Sequence, residues 1–335
     1  MKISIKQISE LSGFSPATVS NVLNNKKGVN KDTVELIMKI AKEAGYLNER
    51  RINSIKLVVY KKSGAVISDT PFFSSLIEGV ERGGRACGYE TAICNLVRDS
   101  SEFDQLLEQI LNDHTSGILL LGTELAEEDM EVFKRAVAPV VVLDSWFENM
   151  AFDSVLINNT DSICNAVHYL IKMGHTEIGY LKGNFPIQNF YYREMGYRRA
   201  LGRAGIPVNE SYLLKLTPTM DGAYKDMSDY LDKSPILPTA FAADNDIIAL
   251  GAMKALKEHG FKIPKDISII GFDDVPFCEI SSPALTTIRV FKQEMGQMAV
   301  KQLLGKIKSE SYIKTKIQIC TEFVERKSVR DLSAK

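Results

Sequence analysis

The sequence predicts two parts of different class: a small all-α head built as a helix-turn-helix, then an α/β body of two lobes, each a parallel, doubly wound sheet. Three observations carry this. The first 50 residues hold three short amphipathic periods with a glycine stop and a proline start between the first two. Beyond residue 55, apolar strand-like runs alternate with helical patterns almost to the end of the chain. Charge is also uneven: residues 1–53 carry nine Lys and Arg against five acids, hence +4, which leaves −5 for the rest of a chain of net charge −1. A basic head on an acidic body implies that the head meets a polyanion.

In the head, Ser4-Ile5-Lys6-Gln7 has capping-box form, so a first helix starts there, with Ile5, Ile8 and Leu11 on one face and Gly13 as its left-handed stop. Ser15 can cap a second helix, and Pro16 at the first helical position sacrifices no hydrogen bond. This helix buries Val19, Val22 and Leu23 and leaves Pro16, Ala17, Thr18, Ser20 and Asn21 outward, a small polar set that nothing bulky keeps out of a groove. A third helix, capped by Asn30 or Asp32, is apolar at Val34, Ile37, Ile40 and Ala41 and stops at Gly45. A three-helix bundle with a tight turn is the plainer alternative.

The run Ile8-Ser9-Glu10-Leu11-Ser12-Gly13-Phe14-Ser15-Pro16-Ala17-Thr18-Val19-Ser20-Asn21-Val22-Leu23-Asn24 resembles the N-terminal signature of the LacI/GalR repressors, I-A-x-x-A-G-V-S-x-x-T-V-S-x-x-L-N. The resemblance implies that Pro16, Ala17 and Asn21 read bases and that Ser15, Thr18, Ser20 and Asn24 hold phosphates. Asn21 can pair in bidentate fashion with adenine, whereas Pro16 and Ala17 offer apolar contact, for instance to a thymine methyl. The family's hinge helix, which wedges a Leu into the minor groove, has the pattern Y-x-P-N-x-x-A-x-x-L. Here Tyr46-Leu47-Asn48-Glu49-Arg50-Arg51-Ile52-Asn53-Ser54-Ile55 departs from it, and a strand begins at once. The linker is about six residues short of the family pattern, which argues against intercalation, because Ile55 cannot both wedge DNA and open a strand. Arg50 and Arg51 either contact backbone phosphates or are solvated.

The body yields strand candidates at 57–60, 92–94, 117–121, 140–143, 155–157, 178–181, 213–216, 240–243 and 267–271, with helical patterns such as 73–86, 102–111, 163–173, 193–204, 247–259 and 295–307 between them. So many strands exceed one ordinary sheet, so two lobes facing a cleft are expected, with ligand beyond the carboxyl ends of the strands. Gly174-His175 before Ile178-Gly179-Tyr180, Arg193-Glu194-Met195-Gly196-Tyr197, Asp244-Asn245-Asp246, Ile269-Ile270-Gly271-Phe272-Asp273-Asp274 and Pro283-Ala284-Leu285-Thr286-Thr287-Ile288 stand in the order and spacing of the same family's periplasmic-binding-protein-like domain, which they resemble. The resemblance implies three crossings between lobes, near 158–161, 287–291 and 307–311. The expected divisions are then a head over 1–50, a short hinge or linker over 51–55 and an effector-binding and dimerisation domain over 56–330. Its first lobe takes 56–158 and 289–308, its second 159–288 and 309–330.

Arg193, Asn245 and Asp273 end or follow strands of the second lobe, and Asp144 is the matching carboxylate of the first. Guanidinium, amide and carboxylate suit sugar hydroxyls. The family resemblance makes these effector positions; the ordinary alternatives are a surface ion pair, turn closure and helix capping. Phe72 and Phe73 stand where relatives offer aromatics to the ligand, Phe72 being the one favoured for the cleft and the other for the core. Trp146, the only tryptophan, either stacks on a sugar face or packs. Thr217 stands where the second lobe often has an aromatic platform, and Asn158 replaces a frequent Asp, so the ligand is not assigned by analogy: a mono- or oligosaccharide leads, with a nucleobase or another polar metabolite as the alternative.

A chain of 335 residues with 45% hydrophobic residues can build these cores. No window nears the roughly 18 apolar residues of a membrane span, and the start lacks a signal peptide's apolar core, so the expectation is a cytoplasmic protein without a membrane partner. The five cysteines, Cys87, Cys94, Cys164, Cys278 and Cys320, are scattered and are expected as buried small hydrophobes; no metal and no cofactor are expected. No nucleophile elbow, phosphate loop or His–Cys constellation stands in the chain, so no catalytic residue is expected. A transporter's solute-binding protein would explain the body and leave the head unexplained. The expected function is that of a DNA-binding transcriptional regulator, a repressor, whose affinity for a pseudo-palindromic operator is changed by a small molecule bound between the lobes, with a homodimer as the minimum unit.

Overall fold

The structure, a computed structural model, describes residues 4–23, 28–44, 52–64, 66–67, 70–308 and 313–333. It divides into two compact units, a head within Met1–Asn53 and a body beginning at Ser54.

The head's helices are α1 (Ile5–Ser12), α2 (Pro16–Leu23) and α3 (Lys31–Glu43). The capping box forms as expected, with Ser4 N–H donating to Gln7 Oε1 at 2.8 Å and Gln7 N–H to Ser4 Oγ at 3.4 Å. Gly13 takes φ 72° at the C-cap, a left-handed conformation that lets its N–H reach the Ser9 carbonyl. Ser15 Oγ accepts from Thr18 N–H at 3.1 Å, which starts α2. Ile8, Val19, Val22, Leu23, Ile37 and Ala41 form the core. Leu11, expected on the inner face of α1, is 63% exposed within the head, because the short helix turns only Ile8 fully against α2 and α3. Gly45 and the linker through Arg51 lie outside the described residues.

In the body the chain runs β1 (Ser54–Lys61), α4 (Pro71–Ala86), β2 (Glu90–Val97), α5 (Phe103–Leu111), β3 (Ser116–Leu121), α6 (Glu127–Met130), β4 (Val140–Leu143) and β5 (Asp153–Ile157). It continues through α7 (Asn159–Lys172), β6 (Ile178–Gly183), α8 (Gln188–Arg203), β7 (Leu213–Leu216), α9 (Met220–Leu231), β8 (Ala240–Ala243), α10 (Asp246–Glu258), β9 (Ser268–Ile270), α11 (Phe277–Ile280) and β10 (Thr287–Arg289), then α12 (Lys292–Lys308), β11 (Lys316–Ile319) and β12 (Glu322–Val324). The first lobe's sheet has the order β11-β5-β4-β3-β1-β2 and the second lobe's β7-β6-β8-β9; the recorded pairings within both are parallel. β10 and β12 form a separate antiparallel pair. Strands β3, β4, β5 and β8 are buried along their whole length, as strands covered by helices on both faces must be.

Ile55 is fully buried in β1, as the immediate strand after the linker required. The chain leaves the first lobe after β5 and returns after β10, near the expected crossings. The third expectation is corrected: 309–330 does not all belong to the second lobe, since β11 pairs with β5 in the first lobe's sheet and the crossing follows Ile319. Asp153, fully buried on β5, explains the placement, because it accepts from Thr315 N–H at 2.9 Å and pairs with Lys306 at 3.0 Å and Lys314 at 3.2 Å, tying the approach to β11 down beside β5. Helices α4 and α12 cross where Gly79 and Gly296 meet the opposite backbone; a Cβ on Gly79 would collide with the Gln293 carbonyl.

Candidate effector site and nucleic-acid interface

On the head, Ser15, Pro16 and Ala17 are exposed at the start of α2, with Thr18, Ser20 and Asn21 half-buried along it. The side chains placed to reach a groove are therefore small, and Ser15 and Thr18 are already engaged with each other, their hydroxyl oxygens 2.9 Å apart. Asn24, expected to hold a phosphate, and Arg50 and Arg51, expected either to contact phosphates or to be solvated, lie outside the described residues.

The body's site is built at the carboxyl ends of the strands. Phe72 and Phe73 open α4 after β1, and Thr123 and Glu124 follow β3. Asp144 follows β4, Asn189 and Arg193 sit on α8 after β6, Asn245 follows β8 and Asp273 follows β9. Phe72, Phe73, Asp144, Arg193, Asn245 and Asp273, six of the seven residues expected from the sequence, line one cavity of about 20 Å³ between the lobes, together with Val66, Thr70, Thr123, Ile187, Asn189 and Phe190. Phe72 and Phe73 both line it and both belong to the body's hydrophobic core, so the two are not divided between cleft and core; their rings meet edge to face with centroids 5.0 Å apart.

Arg193 stands at the centre, 4% exposed. Its Nε donates to Asn159 Oδ1 at 2.8 Å and its Nη1 to the Asp244 carbonyl at 2.5 Å, while its guanidinium lies over the Phe272 ring at 3.7 Å. These contacts hold the guanidinium in one orientation, with Nη2 3.7 Å from Asp273 Oδ1, close enough for attraction and beyond a hydrogen bond. Asp144 Oδ2 accepts from the Thr123 hydroxyl at 2.6 Å. Its Oδ1 and Asp273 Oδ1 are buried without a hydrogen-bond partner. Both residues adopt left-handed backbone, φ 62° at Asp144 and φ 112° at Asp273, strain of about 1–3 kcal/mol each of the kind that concentrates where side chains are aimed at ligands.

Burial raises both carboxyls from the usual 3.8 to about 6; the Thr123 hydrogen bond offsets part of this at Asp144, and the charge of Arg193 at Asp273. Behind them Asp244 and Asp246 are pushed up to about 7, again chiefly by burial. The Arg193 charge acts on three of these carboxyls, Asp144, Asp244 and Asp273, and favours the ionised form of each. Asn245 caps α10, accepting from Ile248 N–H at 2.9 Å, and also lines the cavity.

Glu124 escaped the sequence analysis. Only 2% exposed, it accepts backbone N–H groups of Lys62, Ser63 and Gly64 on Oε2 at 2.9–3.0 Å, and those of Val66 and Ile67 on Oε1 at 3.0 and 3.4 Å. It therefore shapes the loop that carries Val66 into the cavity. Thr123 and Asn189 were also missed. The signal for Asn189 was its place four residues before Arg193, one helical turn along the same face; no local pattern marks Thr123 or Glu124.

Trp146 is corrected: it is not in the cavity. Its indole stacks on Tyr192 from the second lobe, centroids 5.3 Å apart at 19°, with Lys316 Nζ 4.2 Å from the ring. The Tyr192 hydroxyl donates to Glu148 at 3.0 Å, so the group clasps the lobes together beside the site. The cysteine expectation is corrected as well, since Cys164 and Cys278 are buried but Cys87 and Cys320 are exposed, being at a helix end and a strand end rather than in a core. Among the described residues no three His, Cys, Asp or Glu side chains group as metal ligands would, and no helix is long and apolar enough to cross a membrane.

Residues 4–49 match the family model described as bacterial regulatory proteins, lacI family, and residues 167–329 match the periplasmic binding protein-like domain. The HTH-type transcriptional repressor PurR of Vibrio campbellii is 33% identical over 332 residues, spanning 98% of this chain and 99% of its own. Among solved structures, the transcriptional regulator CelR–cellobiose complex superposes with a TM-score of 0.76 at 25% identity, covering 98% of this chain and 100% of the other. A LacI family transcriptional regulator from Enterococcus faecium with bound ribose superposes with a TM-score of 0.70 at 28% identity, over 83% of this chain and 100% of that one. With a helix-turn-helix head, a two-lobed body and similarity along nearly its whole length, the chain belongs to the lacI family of bacterial regulatory proteins and is a DNA-binding transcriptional regulator, not an enzyme.

Proposed function

We propose that this regulator is a repressor whose operator affinity is set by a sugar bound between the two lobes. The observation that carries the ligand class is the pair of buried carboxylate oxygens, Asp144 Oδ1 and Asp273 Oδ1, one from each lobe, left without a hydrogen-bond partner near a fixed guanidinium. Such oxygens need O–H or N–H donors, and a polyol supplies several at once while accepting from Arg193. Asn245 adds an amide, and Phe72 and Phe73 add apolar walls. Because the ligand's partners come from both lobes, binding favours one relative placement of the lobes, and through them of the two heads of a homodimer on a pseudo-palindromic operator. The cytoplasm is the compartment in which such a regulator meets its DNA. Pro16, Ala17 and Asn21 are the base-reading residues of this proposal; Ser15, Thr18, Ser20 and Asn24 hold phosphates, as do Arg50 and Arg51.

A nucleobase is the second reading, favoured by the Phe72–Phe73 pair and by the PurR name of the curated relatives. The experiment is a titration of the purified protein with sugars and nucleobases, followed by thermal stability and by the fluorescence of Trp146, which its stacking on Tyr192 makes a reporter of lobe placement. A ligand at 100 times its Kd adds about 2.7 kcal/mol to the folded state. A sugar hit whose shift disappears in Asp273→Asn supports the reading. Stabilisation by nucleobases alone overturns the sugar in favour of the second reading.

A further inference from the structure

The inner cavity, about 20 Å³, holds little more than one water molecule. Beside it lies a cleft of about 710 Å³, within the range in which proteins hold small-molecule ligands. Ile187 and Phe190 line both spaces, so a single partition separates them. The cleft draws its walls from both lobes, with Glu127, Glu128 and Glu148 on the first and Lys182, Tyr191 and Lys215 on the second. Tyr191 is 54% exposed, an aromatic face left open toward solvent.

The charges define what fits. Lys182 is already paired with Glu194, and among the described lining residues Glu127, Glu128 and Glu148 outnumber Lys215, although Lys316, which does not line the cleft, lies near Glu148. Phosphorylated or otherwise anionic ligands are therefore disfavoured, while acceptor-rich walls beside a tyrosine ring suit a neutral chain of hydroxyl-bearing rings.

We infer that the outer cleft is a second subsite adjoining the inner one, and that the effector is a neutral oligosaccharide of at least two units, its terminal ring against Arg193, Asp144 and Asp273 and the next ring against Tyr191. The inference rests on the sugar reading of the inner site. For the terminal ring to enter, the partition formed by Ile187 and Phe190 moves as the lobes part, while the outer cleft is already open.

The test is calorimetric titration of the full chain with homologous mono-, di- and trisaccharides and with the corresponding monosaccharide phosphates. A disaccharide is expected to bind at least tenfold more tightly than its monosaccharide, and Tyr191→Ala to collapse that ratio toward one. Glu128→Ala, an exposed change on the opposite wall, is expected to reduce the ratio too, and melting curves confirm that both variants are folded. Equal affinity for mono- and disaccharides, or variants that leave the ratio intact, overturns the second subsite while the sugar reading stands. Preference for the phosphorylated sugar overturns the neutral class. If no sugar binds and a nucleobase does, the inner-site reading fails and the extension fails with it.

Discussion

Replacing Glu124 with glutamine tests whether one carboxylate organises the effector loop. Among the described residues its two oxygens accept five backbone N–H groups, three on Oε2 and two on Oε1. An amide has one oxygen, so in the better orientation its NH2 faces the two donors of Val66 and Ile67, which then go unpaired in a buried position. Hydrogen bonds to a charged acceptor contribute about 1.5–3 kcal/mol each, and an orphaned buried donor costs a similar amount, so these two alone account for about 3 kcal/mol or more. The three bonds retained lose their charge assistance as well. The loop can open locally before the lobe unfolds, which caps the loss seen in global stability and moves the remainder into the site, since Val66 lines the inner cavity. Urea denaturation is expected to show a loss of about 2–4 kcal/mol, and titration an effector affinity at least tenfold weaker. Wild-type stability together with wild-type affinity in Glu124→Gln would refute the reasoning.

Three further outcomes follow from the geometry. Asp144 and Asp273, raised to about 6 by burial from an unfolded value near 3.8, bind protons more tightly in the folded state. Their contribution to stability is therefore full below about pH 4 and lost as pH rises through about 6. A polyol that donates to them favours the charged form, so effector binding should weaken by roughly tenfold per carboxylate between pH 7 and pH 5 and release protons, and Asp144→Asn should remove one of the two dependences, measured by titration in buffers of different ionisation enthalpy. Gly79→Ala places a methyl against the Gln293 carbonyl where α4 meets α12, and a loss of about 1–3 kcal/mol is expected in denaturation, with an unchanged midpoint counting against the close crossing. Asn21→Ala, on the outer side of α2, is expected to relax selection at one operator position by about 1–3 kcal/mol while leaving the salt dependence of binding unaltered; selection from a randomised operator library reads this, and a uniform loss over all positions would make Asn21 a phosphate contact instead.

The amino-acid sequence by itself determined the order and class of the elements, because their signals are local. The Ser4–Gln7 capping box, the left-handed stop at Gly13 and Pro16 at the start of α2 each act within one helical turn. The buried parallel strands announce themselves as unbroken apolar runs such as Gly117–Leu121 and Val140–Leu143. Residues at strand ends, Asp144, Asn245 and Asp273, were legible for the same reason, since in open α/β sheets those ends face the cleft.

Only the tertiary structure decided what depends on distant partners. The membership of β11 in the first lobe follows from its pairing with β5 and from the buried charge of Asp153, some 160 positions earlier in the chain. Trp146 turns from the cavity because Tyr192 and Lys316, far away in sequence, offer its ring a stacking face and a cation. Glu124 organises a loop 57 to 62 residues before it, and Thr123 fixes Asp144 21 residues ahead. Each is a contact between side chain and remote backbone or side chain, set by how the sheets and helices pack, and periodicity along the chain carries no record of such pairings.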